Sequence, residues 1–317
     1  MNKMKKIGLT ALAASLVSVS AQAVDISGGS SITFASGNDG VAGNPWSMND
    51  SLTFSWGGEL DNGMTVDMSF LLDNSDGAAS QIFDNRTLAI GMGSAGTLTF
   101  WGQAGSGVVG SFDDRTPNAY EESWNGADSP NQGHSASNMF YYTNSLDAAT
   151  IHASYTPSGG ADASNDASTE LGVVLNAIDN LELYGAVGTD NGANTATAAV
   201  DNTIMGAKFT MGAASIGVQV NEADSGTTNS DEEFVAWSIS YAVSEDMSVS
   251  FGQSELSYEN PATADQEATG ISASYTMGSM TLAGVVNDIT NQGSAATGAG
   301  NTTSNNETFE VNLSFAF

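Results

Sequence analysis

Ser51-Leu-Thr-Phe-Ser-Trp-Gly-Gly-Glu-Leu60 sets Leu52, Phe54, Trp56 and Leu60 at one parity and Thr53, Ser55 and Glu59 at the other. Side chains alternate across a β-strand, so this stretch reads as a strand with one apolar and one polar face. Asp61-Asn62-Gly63 follows, residue types that accept the positive φ angles of a tight hairpin. Met64, Val66, Met68 and Phe70 then resume the apolar parity, which predicts a β-hairpin over 51–70.

The hairpin recurs along the chain. Short turns fall near Asn62, Ser94, Leu146, Asp179, Gly212, Glu245 and Gly278, at steps of 32, 52, 33, 33, 33 and 33 residues. Each step of 33 accommodates two strands and one long loop, and seven short turns with eight long loops predict 16 strands in one domain. The long stretches 36–40, 158–166 and 291–306 are rich in Gly, Asn, Asp, Ser and Thr. An even number of antiparallel strands, with short turns at one end and long polar loops at the other, predicts an all-β, 16-stranded antiparallel transmembrane β-barrel. Val235, Trp237, Ile239 and Tyr241 would face lipid, and the alternating Ala236, Ser238 and Ser240 a wet lumen. Parity also turns Glu59, Asp67, Glu170 and Glu182 inward. At the C-terminus, Phe309, Val311, Leu313, Phe315 and Phe317 form a lipid-facing row and Glu310 faces the lumen. This last strand is expected to close the barrel against Val24-Asp-Ile-Ser27.

Composition narrows the classes. Lys3, Lys5 and Lys6, an apolar run over 7–17 and Ala21-Gln-Ala23 form a secretory signal peptide, so residues 1–23 are set apart from the barrel at 24–317, with cleavage near Ala23. Only Arg86, Arg115 and Lys208 then stand against 36 acidic residues, which argues against a nucleic-acid partner. The chain has no cysteine, hence neither disulfide nor thiolate chemistry. No apolar run after residue 23 approaches the about 18 residues of a spanning helix, so entry into a membrane must be by strands.

Gly91-Met-Gly-Ser-Ala-Gly96 has the spacing of a dinucleotide fingerprint, but a strand follows it where the cofactor needs a helix, so these glycines read as a turn. His134 and His152 have no partner at metal or catalytic spacing, so no enzyme and no cofactor is expected. Asp-rich stretches such as 73–77, and Asp113 with Asp114, are candidates to bind Ca²⁺ or Mg²⁺.

The step of 52 carries the functional reading. Its excess lies after the fifth strand, between Gln103 and Asn138, and holds Asp113, Asp114, Arg115, Glu121 and Glu122. Here the sequence resembles the Gram-negative general porin family, and in signal peptide and loop composition is most similar to alphaproteobacterial porins. Arg86-Thr-Leu-Ala-Ile-Gly91 and Gly96-Thr-Leu-Thr-Phe-Trp-Gly102 are similar to the strand pair that feeds the family's third loop. The resemblance implies a homotrimer in outer-membrane lipid, with the third loop, 104–136, folded into the pore as its constriction. It also implies that the C-terminal Phe317 is the signal read by the barrel-assembly machinery.

On that reading Asp113, Asp114, Arg115, Glu121 and Glu122 line the narrowest point, with Arg86 and Gln103 on the facing wall. Gln103 departs from the family, which commonly has Arg there, and so weakens the usual cluster of wall arginines. The expected function is a water-filled passive diffusion channel for small hydrophilic solutes and ions, cation-preferring because rings of carboxylates attract cations. The alternatives are a barrel with an adhesion, structural or hydrolase role, a soluble secreted β-protein, and a third loop that is only a solvated surface loop.

Overall fold

The strands form where the parity changes demand them. In the computed structural model they are β1 (Asp25–Ser36), β2 (Trp46–Glu59), β3 (Thr65–Asp73), β4 (Asn85–Gly91), β5 (Thr97–Gln103), β6 (Met139–Leu146), β7 (Ala149–Thr156) and β8 (Ser168–Ile178). The second half continues with β9 (Leu181–Asp190), β10 (Val200–Met211), β11 (Ala214–Ser225), β12 (Glu232–Ala242), β13 (Met247–Tyr258), β14 (Gln266–Met277), β15 (Met280–Gln292) and β16 (Ser304–Ala316). Every neighbouring pair is antiparallel, and β16 pairs with β1, so the sheet is a closed 16-stranded barrel. The structure describes residues 24–36, 44–73, 83–128, 133–158, 166–191, 199–292 and 304–317. The signal segment 1–23, part of the Asp-rich stretch 73–77 and most of the polar stretches 36–40, 158–166 and 291–306 lie outside the described residues.

All seven short turns lie where the sequence puts them. Asn180, at φ 65°, and Gly212, at φ 62°, take the left-handed conformation that two-residue hairpin turns require. Gly93–Ala95 makes one 3₁₀ turn between β4 and β5, so the glycine-rich spacing at 91–96 belongs to a hairpin.

Exposure is inverted relative to a soluble protein. Leu171 is 62% exposed, Met205 51% and Ile271 59%, whereas inward neighbours such as Ile204 and Asn202 are buried. The barrel turns its apolar parity outward, as the hydrocarbon of a bilayer demands. Closure sits higher on β1 than expected. Gly29–Ser36 pairs with Phe309–Ala316, Gly28 exchanges backbone hydrogen bonds with Phe317 at 3.0 and 3.1 Å, and Asp25–Ser27 pairs with β2. Strand tilt imposes this stagger, because a barrel closes only with a fixed shear between its first and last strands.

The lumen departs from the uniformly polar surface that alternation predicts. Val174, Tyr184 and Ile204 of β8–β10 point inward, as do Phe234, Leu256 and Ile289 of β12, β13 and β15. These inward apolar residues are covered by the long segment between β5 and β6.

Candidate functional site

The segment after β5 is built to enter the barrel. Ala104 takes φ 48°, and Gly105–Ser106 pairs with Ser135–Ala136, which closes the neck of the loop. Helix α1 (Val108–Phe112) follows and buries Val108, Val109 and Phe112 against Val174, Tyr184, Ala186 and Ile204. Further on, Trp124 packs on Phe234, with ring centroids 5.9 Å apart, within a second apolar cluster.

Between and beyond these anchors the loop is pinned strand by strand along the inner wall. Ser154 of β7 accepts from the Val108 amide at 3.3 Å. Asp113 Oδ1 accepts from Gln219 at 2.5 Å and Asn221 at 3.0 Å, both on β11. Ser238 of β12 donates to the Pro117 carbonyl at 2.9 Å, and Ser250 of β13 accepts from the Ala119 amide at 3.0 Å. Gln266 of β14 both accepts from and donates to the Asp128 backbone, at 3.0 and 2.9 Å, and Asn287 of β15 donates to the Asn125 carbonyl at 2.6 Å. Tyr120 reaches β16, donating to Glu310 Oε1 at 2.6 Å. The loop therefore lies inside the barrel, and the reading of it as a solvated external loop is set aside for residues 104–128 and 133–138.

The electrostatics of the loop are one-sided. Arg115 stacks on Phe112 at 4.7 Å and Tyr184 at 5.4 Å and pairs with Glu182 of β9 at 3.4 Å. Glu182 also receives Lys208 of β10 at 3.6 Å. Both cations of the lumen thus gather at one wall carboxylate, and the cluster keeps a single net positive charge. Asp114 reaches lumenal water at φ 55°, but the surrounding protein limits its hydration, and Asp113, Glu122 and Glu121 add like charge. Burial and these neighbours push its carboxyl up to about 7. Glu121 is raised by burial, then by Glu122 and Glu310, and Glu122 is raised chiefly by burial. Burial and the bond to Glu310 likewise raise the Tyr120 hydroxyl.

Of the residues expected at the constriction, Asp113, Asp114, Arg115, Glu121 and Glu122 come together on the loop. Arg86 does not. Its register row runs Ile26, Phe54, Phe70, Arg86, and Ile26 is outward and exposed, so Arg86 is on the outer face of β4. There it donates to the Gly102 carbonyl at 3.4 Å. Gln103 donates its amide to the Phe83 carbonyl, fastening the top of β5. The inward rows of β1–β5 consequently carry no Lys or Arg; Gly29, Ser31, Asn49, Ser51 and Ser314 line an open recess there. Asp113 already serves two amides, and no group of three His, Asp or Glu side chains converges among the described residues. His152 is lumenal, its Nδ1 3.1 Å from the Tyr141 hydroxyl, and His134 pairs with Asp190 at 2.7 Å.

Periodicity missed the apolar seats of the loop, yet a signal for them existed. The doublets Val173-Val174, Ile204-Met205 and Phe234-Val235 break alternation, and in each pair one member faces out and the other takes part in seating the loop.

The pKa of Asp114 yields a testable pH dependence. A carboxyl titrating near 7 is neutral below that pH and charged above it, so the loop should gain negative charge, and the channel should shift toward cations, as pH increases from 6 to 8. Reversal potentials measured across that range should trace a sigmoid that Asp114→Asn flattens; an equally steep curve in the variant would remove Asp114 from the bore.

The sequence profile of Gram-negative porins matches residues 8–256. No curated protein matches the chain by sequence. Among solved structures, an anion-selective porin from Comamonas acidovorans superposes with TM-score 0.70 at 15% identity, covering 93% of this chain and 99% of that one. A triple-mutant porin of Rhodopseudomonas blastica gives TM-score 0.66 at 15% identity over 93% and 100%. The outer membrane protein OmpT of Vibrio cholerae gives 0.69 at 16% identity over 95% and 100%. At these identities the likeness establishes the barrel architecture.

Proposed function

Because this chain belongs to the Gram-negative porin family, an outer-membrane channel rather than an enzyme, we propose that its pore is a passive, cation-preferring route for small hydrophilic solutes. One observation carries the reading: the loop gathers Asp114, Glu121 and Glu122 within reach of one another's charge, whereas the lumen's two cations, Arg115 and Lys208, both lie against Glu182. Water in the bore then holds a local excess of cations. The solved anion-selective porin has the same architecture, so the sign of selectivity rests on side chains and not on the fold.

We read the assembly as a homotrimer in outer-membrane lipid. Strands β4 and β5 have seven residues each. Tilted by about 40°, such a strand spans about 18 Å, short of the apolar band of about 25 Å that a lipid-facing wall must cover. On the same outer face Trp56, Phe70 and Phe83 pack together, with ring centroids 5.1 and 5.3 Å apart, which suits a protein neighbour. Phe317 is 74% exposed beside Gly28, which supports reading it as the signal for the assembly machinery.

Deleting residues 108–124 tests the constriction. Single-channel conductance in planar bilayers should rise severalfold, because the segment pinned across β7–β16 is removed; unchanged conductance would put the loop outside the conducting path.

A further inference from the structure

We infer that Glu170 is the positioning residue of the constriction loop, a single buried carboxylate that ties its outgoing and returning legs to the wall. The inference rests on the constriction reading above.

Glu170 of β8 is 2% exposed. A buried carboxylate is costly unless hydrogen bonds replace the water it has lost. Among the described residues its ion-pair partners include no Lys or Arg; its donors are neutral and come mainly from the loop. Oε2 accepts from the Val109 amide at 3.0 Å and from Ser154 Oγ at 3.1 Å. Oε1 accepts from the His134 amide at 2.7 Å. Val109 lies on the leg that enters the barrel and His134 on the leg that leaves it, 25 positions later in the chain. The two legs also meet directly, through the Gly107 amide and His134 carbonyl at 2.9 Å.

The surrounding sequence is shaped to this carboxylate. A Cβ on Gly107 would stand 2.1 Å from Oε2, one on Gly133 2.5 Å from Oε1, and one on Gly188 2.3 Å from Cγ. These overlaps admit no side chain, so three glycines from the two loop legs and from β9 form the cradle. Only a carboxylate satisfies all of it. Glutamine has one acceptor oxygen and would point its NH₂ donors at one of the two amides, and aspartate is one methylene too short.

The test is Glu170→Gln compared with Ser154→Ala, each in the full-length barrel. Hydrogen–deuterium exchange should accelerate about tenfold at both legs, in peptides covering 105–112 and 133–139, for Glu170→Gln, the scale of losing one hydrogen bond to a charged group. Brief closures of the single channel should become more frequent to a similar degree. Ser154→Ala keeps both amide bonds to Glu170 but frees the Val108 amide, so it should speed exchange on the outgoing leg alone and leave the peptide covering 133–139 unchanged. Equal effects of the two variants on the peptide covering 133–139, or unaltered exchange there in Glu170→Gln, would overturn the assignment. If Glu170→Gln yields no folded barrel, exchange in the unaltered protein decides: the Val109 and His134 amides should open at one common rate, and rates differing by tenfold would refute a shared latch. Exchange reports the latch whether or not the loop lines the conducting path, and the deletion of 108–124 reports the path alone, so the two ideas fail separately.

Discussion

Neutralising Asp114, Glu121 and Glu122 together, as Asn, Gln and Gln, should bring the reversal potential under a KCl gradient close to zero. At about 5 Å in water one carboxylate attracts a monovalent cation by about 0.8 kcal/mol, and it repels an anion equally. With screening over a Debye length of about 10 Å, each ionised group separates cation from anion by about 1 kcal/mol. At pH 8, where Asp114 is charged, an ion that passes within about 5 Å of one group at a time should show a cation-to-anion permeability ratio lowered by at least about fivefold in the variant. The effect should be this large because Arg115 and Lys208 share Glu182 and leave only a single net positive charge against these groups, and Arg86 lies on the outer face. A variant that keeps the full cation-selective potential would move the selectivity to other inward carboxylates of the wall, such as Glu59 and Asp67.

The second large effect concerns packing. Phe112 is fully buried between the loop and the wall, edge-on to His152 at 5.0 Å and to Tyr184 at 6.2 Å, and Trp124 is 6% exposed against Phe234. Truncating either to Ala should weaken the hold of the loop by about 3–5 kcal/mol, the usual cost of deleting a buried aromatic. The barrel ladder is untouched, so the loss should be local: faster deuterium uptake across 105–128 and a noisier open channel, with thermal unfolding of the barrel scarcely shifted. Quiet currents and normal uptake in both variants would show that the polar staples alone suffice.

The strands were legible because a membrane barrel writes its two environments into alternate residues, and hairpin turns punctuate them with Asn, Asp and Gly. Glu59, Asp67, Glu170, Glu182 and Glu310 follow inward parity for the same reason. What periodicity could not show is pairing across the lumen. Tyr120 meets Glu310, 190 positions away, and Asn125 meets Asn287, 162 positions away, and neither bond leaves a local pattern. Arg86 shows the opposite failure. It shares parity with Leu88 and Ile90 in its own strand, and that alternation turns it outward, against the wall position the motif resemblance implies.

The strand-by-strand attachment of the loop also changes the barrel as a mechanical object. A closed ladder resists stretching along its hydrogen bonds but is easily flattened across its diameter. A segment bonded to β7, β11, β12, β13, β14, β15 and β16 runs round the inside of that circumference as a rib. Lateral pressure from the surrounding membrane that would make the cross-section oval must shear these bonds as well as bend the wall, so the same loop that narrows the passage also keeps it round.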